Sequence, residues 1–173
     1  MERIIAEIVV ASTIAVDIIW VMVDPHAIDA WRALCTAHAA VSKRVQEAFA
    51  ADELPPLSWF EALCAIEDNP QGPPRMSELA ELLTLSRGGI TKIADRLQDA
   101  GLLERVALPE DRRSLRVQLT PAGRTLLAQM KRVYEHELEQ HLAALTPKRA
   151  LAMTKALEDV TASTREPAAA AAA

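Results

Sequence analysis

Aromatic residues make up only 3 % of this chain, glycine occurs five times, cysteine twice, and positive charge is in deficit. Those scarcities narrow the field. Cys35 and Cys64 form no Cys-x-x-Cys pair and no dense framework, which suits a reducing cytosol with both thiols as small core residues. The few glycines build no phosphate-cradling loop, and there is no nucleophile–base constellation or paired acidic metal site. An enzyme is therefore the least favoured class, and no cofactor is expected. A net charge of −5 argues against a generally basic nucleic-acid binder. The charge is uneven, however. Between Thr84 and Arg132 ten Lys/Arg stand against five Asp/Glu, whereas the remainder carries nine against nineteen. A basic island on an acidic body is the footprint of a localised phosphate contact, or else a solvated charged surface.

What the chain does have is apolar bulk: half of its 173 residues are hydrophobic, with Ala and Leu dominant. That predicts a mostly helical protein with one real core. The stretch from Ile4 to Val23 is long enough to span a bilayer but contains Glu7 and Asp17. An acidic residue near the centre costs about 2.5–3.5 kcal/mol, while each of the eleven Ile/Val residues returns about 0.3–0.6 kcal/mol, so insertion is close to balanced. A signal peptide would need a more basic start and a small-residue cleavage site. Residues 1–23 are best read as an apolar extension, with helix and strand both open and a membrane anchor disfavoured. Asp24-Pro25 is a sensible helix start.

From Pro25 to about Ala51, Ile28, Trp31, Cys35, His38, Val45 and Phe49 recur at three- and four-residue steps, predicting a long amphipathic helix. Leu54-Pro55-Pro56-Leu57 stops it, and Ser58 with Glu61 reads as a capping box for the next helix. The loop Asp68–Pro74 follows. Ser77 is then expected to cap a short helix with inner face Leu79, Ala80 and Leu83, its acidic first turn holding Glu78 and Glu81. Ser86 caps another, with inner face Ile90, Ile93, Ala94 and Leu97. Small Ala80 and branched Ile90, ten residues apart, fit two helices that cross closely, as in a helix-turn-helix.

The face opposite Ile90 and Leu97 carries Gly88, Lys92, Asp95 and Asp99, so only its first turns suit DNA. Ser86, Arg87, Gly88, Gly89, Thr91 and Lys92 are the candidate groove contacts, with Arg87 for guanine and Lys92 for phosphate. The glycines either admit backbone amides to a phosphate or simply fray the turn. Gly101 stops this helix. A strand from Leu102 to Ala107 and a return strand through Leu115, Val117 and Leu119 flank a loop, Leu108–Ser114. Arg112 and Arg113 at its tip are candidates for the minor groove or phosphate, and Asp111 for a brace on one of them. The predicted fold is mainly α with a small β-hairpin wing: a winged helix-turn-helix plus a helical dimerisation region.

The run LAELL–LSRGGITKIADRLQDAGLLER–PEDRRSLRVQLTPAG resembles the signature of the MarR family of bacterial transcriptional regulators, most specifically in Asp-Arg-Arg and Leu-Thr-Pro-Ala-Gly. The resemblance spans roughly Ile28 to Val160 and is at motif strength from Ser77 to Gly123. It implies a homodimer binding pseudo-palindromic double-stranded DNA in the cytoplasm, usually as a repressor released by a small ligand. Gly88 departs from the more usual Ser-Arg-Ser-Gly, and residues 1–23 have no counterpart in the family.

Thr120-Pro121 opens a long helix to Leu145, and Thr146-Pro147 a last one through Ala150, Met153, Leu157 and Val160. Their apolar stripes exceed what a winged module needs and read as a dimer interface. This gives an extension at 1–23, a core at 24–164 (winged unit about 56–120, dimerisation helices about 25–51 and 121–163), and a tail at 165–173. Trp31, His38, Trp59 and Phe60 are candidates for a pocket taking a small aromatic or apolar effector, against plain core packing. Cys35 lies near the reactive cysteine that the resemblance implies for peroxide-sensing relatives, but Tyr134 is the only tyrosine. His136 and His141 do not share a helix face, so no metal site is expected. The competing class is a winged-helix interaction protein tethered by its N-terminal run.

Overall fold

The structure, a computed structural model, describes residues 24–108 and 111–165, without the side chains of Leu108, of residues 111–114 or of Arg165. The readings placed on residues 1–23, on the side chains of Asp111, Arg112 and Arg113, and on the tail beyond Arg165 lie outside that description. In order, the elements are α1 (Pro25–Ala51), α2 (Leu57–Glu67), α3 (Met76–Leu82), α4 (Arg87–Asp99), β1 (Leu103–Leu108), β2 (Asp111–Leu119), α5 (Pro121–Leu142) and α6 (Pro147–Arg165). The mainly α architecture with one antiparallel hairpin is as expected.

Two compact units divide within α1, between Lys43 and Arg44. The described part of the first begins on the expected cap, where Asp24 Oδ1 accepts from the His26 amide at 2.9 Å. Its apolar stripe is not a core. Trp31 is 60 % exposed, and Cys35 and His38 are exposed as well, because among the described residues of this unit the helix stands alone. The expectation that Cys35 is a small core residue is thus corrected.

In the second unit, Val45 and Phe49 from the end of α1 are buried with Phe60, Leu63 and Ile66 of α2, Leu79 of α3, Ile90 and Leu97 of α4, Val117 and Leu119 of β2, and Leu127 and Met130 of α5. Phe60 packs edge-on against Phe49 and stacks at 4.6 Å on Tyr134. No polar or charged residue is buried among the described ones. At about 25 cal/mol per Å² of apolar surface, this shared core is the main stabilising term.

Two helix starts differ from the sequence expectation. Helix α2 begins at Leu57, not after Ser58, because the Leu57 amide is met from another helix: Gln46 Oε1 accepts it at 2.9 Å. Helix α3 begins at Met76, with Arg75 rather than Ser77 at the cap position, and Glu78 Oε2 accepts the Arg75 amide at 2.8 Å. Only Glu78 falls in its first turn. Both starts use a longer side chain than serine, from the preceding helix at α2 and from the helix's own first turn at α3.

The joints around the hairpin are tight. Gly101, at φ +71°, ends the turn after α4 in the left-handed region where glycine is favoured. Leu102 then turns its carbonyl to the Thr120 amide at 3.1 Å, and Thr120 Oγ1 donates to the Gly101 carbonyl at 2.7 Å. The same hydroxyl accepts from the Gly123 amide at 3.1 Å and so caps α5, with Pro121 in its first turn. Gly123 lies against Leu102 so closely that a Cβ there would stand 2.1 Å from the Leu102 carbonyl oxygen. Gly123→Ala is therefore expected to lower unfolding free energy by about 1–3 kcal/mol, as overpacking does. Gly88→Ala, which meets nothing within 4 Å, should cost nothing or gain up to about 1 kcal/mol. Chemical denaturation of the two variants checks the contrast.

Candidate nucleic-acid interface

The turn between α3 and α4 is built from backbone bonds. The Leu85 amide reaches back to the Ala80 carbonyl at 2.9 Å, and Thr84 takes φ +52° to allow it. For a β-branched residue that conformation costs of order 1 kcal/mol, held by the packed helices on either side. Ser86 then caps α4 as expected, its Oγ accepting the Gly89 amide at 3.1 Å. Ile90, Ala94 and Leu97 are buried, which fixes the helix about its own axis.

With that face inward, Ser86, Arg87, Gly88, Thr91 and Lys92 are exposed, and Gly89 is half-buried. Gly88 has open space where a side chain would be, whereas a Cβ on Gly89 would come to 3.3 Å from the Ser86 hydroxyl. Gly89 thus serves the cap, and Gly88 leaves the outer surface bare. Thr91 Oγ1 donates to the Arg87 carbonyl at 2.8 Å, so its proton is spent within the helix. Among the described residues Arg87 and Lys92 form no ion pair, which leaves both heads available.

The wing departs from the expected outline. The return strand starts at Asp111 rather than Leu115, because pairing resumes beyond a register shift: Ala107 faces Leu115, but Leu108 faces Asp111. Arg112 and Arg113 therefore lie within β2, in its irregular stretch, rather than in a loop between the strands.

The basic island also shrinks on inspection. Arg124 pairs with Glu67, Lys131 with Asp68 at 3.4 Å, and Arg105 with Asp95. Arg116 donates to the Pro73 carbonyl at 2.8 Å and lies 3.7 Å from Glu78, while the Val117 amide bonds the Pro74 carbonyl. These contacts fasten β2 to the strand-like segment ahead of α3, and an isolated bridge joins Arg75 to Arg116. Four of the ten basic residues are thereby committed to the fold. None of these partners is close in sequence, so only Arg105's place opposite buried Val117 hinted at an inward role.

Residues 54–114 match the model of the MarR family. The multiple antibiotic resistance protein MarR of Salmonella typhimurium is 34 % identical over 83 residues, covering 48 % of this chain and 56 % of that protein. The winged helix-turn-helix of this chain is the part that carries this similarity to the MarR family. The chain spans about half the length of the curated relatives it matches. In fold, it is similar to Sco3205, a MarR family transcriptional regulator from Streptomyces coelicolor solved in complex with DNA (TM-score 0.71, 20 % identity, 86 % of this chain and 96 % of that one). It is also similar to BpsR of Bordetella bronchiseptica, solved in a study of regulation of DNA binding by 6-hydroxynicotinic acid (TM-score 0.65, 24 % identity, 77 % and 98 %).

Within this MarR-type unit the effector candidates separate. Phe60 is a core residue between Phe49 and Tyr134, and Trp59 is half-buried. Neither lines the groove that runs along α3 and the turn, bounded by Asn69, Gln71, Glu81, Leu85 and Arg87. No group of acidic, His and Cys side chains suited to a metal occurs among the described residues. His136 instead meets Gln140, and His141 meets Glu137. Cys64 is half-buried, and burial pushes its thiol up to about 11, with Lys131 opposing. Its reactive thiolate is therefore scarce at neutral pH and grows only as pH rises toward that value. In a Cys35→Ser chain, alkylation of Cys64 at pH 8 should run about 100-fold slower in the folded protein than in urea, following the thiolate fraction. Mass spectrometry of timed samples measures it, and equal rates would contradict the assigned burial.

Proposed function

We propose that this chain is a homodimeric, sequence-specific transcriptional repressor of the MarR type. It binds a pseudo-palindromic operator in double-stranded DNA and is released by a small aromatic or apolar effector. The observation that carries the reading is the first turn of α4: a capped, axially fixed helix end presenting Arg87, bare Gly88 and Lys92 outward without acidic partners. Reading helices of this type address bases with that end. Arg87 suits a bidentate contact to guanine and Lys92 a phosphate, with Gly88 and Gly89 admitting the backbone. Arg112 and Arg113 of the wing supply the minor-groove or phosphate contacts, with Asp111 bracing one of them.

Pairing is supported by apolar surface that one copy leaves bare. Leu151 is 72 % exposed, Met153 and Val160 are also exposed, and none of the described side chains of α6 is buried. Two-fold pairing through residues 25–51 and 121–163 sets two reading helices about one DNA turn apart. Occupancy by such a dimer blocks other proteins from the same duplex, which is repression in its simplest form. The solved relatives support the partners: Sco3205 was captured with DNA, and BpsR was studied for its response to a small aromatic acid. Among the described residues no helix is long and apolar enough to cross a membrane, in keeping with a cytoplasmic site of action.

Equilibrium binding to duplex DNA across a salt series tests this. Affinity should fall steeply, each neutralised phosphate contributing about 0.9 to the log–log slope. Arg112→Ala or Arg113→Ala should remove about one unit of that slope, and Arg87→Ala should weaken discrimination between sequences. A response flat in salt would overturn the assignment.

A further inference from the structure

Asp95 and Asp99 follow Gly88 and Lys92 along the outward face of α4, so the charge of this face reverses within two turns. The two acids are not equivalent. Asp95 is met by Arg105, whose Nη2 lies 2.5 Å from Asp95 Oδ1, while Asp99 has no ion-pair partner among the described residues.

Arg105 reaches that carboxylate from an unusual place. It pairs across the hairpin with Val117, which is fully buried, and Leu103 two residues before it pairs with buried Leu119. Directly opposed residues share a sheet face, so Arg105 occupies a position where the pattern calls for an apolar side chain. From that register position its guanidinium reaches α4, with the side chain 32 % exposed. Asp95 keeps about half of its surface, at 52 %. An acid this exposed, one turn beyond Lys92, would present a full negative charge to any phosphate lying along the helix. The guanidinium cancels it where it stands.

We infer that Arg105 is a positioning residue that acts through Asp95: it masks the carboxylate on the reading helix and so lengthens the stretch of α4 that a DNA phosphate can approach. The inference rests on the reading of α4 as the DNA-facing helix. Asp99, unmasked, then marks where approach ends.

A double-mutant cycle on the full chain tests it, using a mixed-sequence duplex of about 30 base pairs, long enough for two half-sites one turn apart. Arg105→Ala should weaken binding about tenfold by uncovering the acid. Asp95→Asn alone should bind as tightly as the unaltered chain or more tightly. The pair Arg105→Ala/Asp95→Asn should return to within about threefold of Asp95→Asn, and Arg105→Lys should retain most of the binding. Melting temperatures of all four should agree within about 4 °C, since an exposed ion pair contributes little to stability. If the double variant stays as weak as Arg105→Ala, Arg105 contacts DNA directly or holds the wing, and the masking role is overturned. If the unaltered chain itself shows no salt-dependent binding, the underlying DNA reading fails, a different result from loss of rescue.

Discussion

Gly101 and Leu102 meet Thr120 and Gly123 at one seam, and the arrangement of α4, the hairpin and α5 depends on it. Gly101 follows the end of α4, Leu102 opens the wing, Thr120 closes it, and Gly123 lies in the first turn of α5. Thr120 joins them by donating to Gly101, accepting from Gly123 and sending its amide to Leu102. Gly123 has no side chain because the Leu102 carbonyl occupies that space. At Gly101 the constraint is instead the left-handed backbone, φ +71°, since a Cβ there would meet nothing within 4 Å. The reading helix, the wing and the start of α5 therefore hold one fixed arrangement.

From that seam outward, electrostatics sort the basic residues into two classes. Arg105, Arg116, Arg124 and Lys131 face carboxylates or carbonyls of neighbouring elements and tie the hairpin, α5 and the loop before α3 to one another. Such partly exposed pairs contribute about 0.2–1 kcal/mol each, so their value is in orientation more than in stability. Arg87 and Lys92 sit on the far side of a helix whose other face is locked by Ile90, Ala94 and Leu97. What a charge count treats as one island is a braced scaffold with a small free edge.

Much of this was legible beforehand where the signal is local. Ser86 and Thr120 are followed within three residues by the amides they cap, and Gly101 sits where a left-handed residue is needed. The apolar spacing of α3 and α4 gave the helix-turn-helix, and the wing signature led to the family. Contacts between residues far apart in the chain are where the local signal ends. Leu57 is capped by Gln46 eleven residues earlier, and Arg116 answers a carbonyl forty-three residues away. A window-by-window reading assigns serine at such places because it is the nearest capping residue. Cys35 and His38 are exposed although they fall on the apolar stripe of α1, since helical spacing marks a face as apolar without saying what covers it. The return strand was shortened because Asp-Arg-Arg-Ser carries no alternation, although the backbone ladder needs none.

A DNA duplex bound as proposed meets the first turns of α4 and not its acidic end. Single cysteines placed by Gly88→Cys or Asp99→Cys, in a chain also carrying Cys35→Ser and Cys64→Ala, can be offered duplex DNA bearing a tethered disulfide. Cross-linking should be efficient at position 88 and near background at position 99. Equal trapping at the two positions, or stronger trapping at 99, would contradict the assigned reading edge.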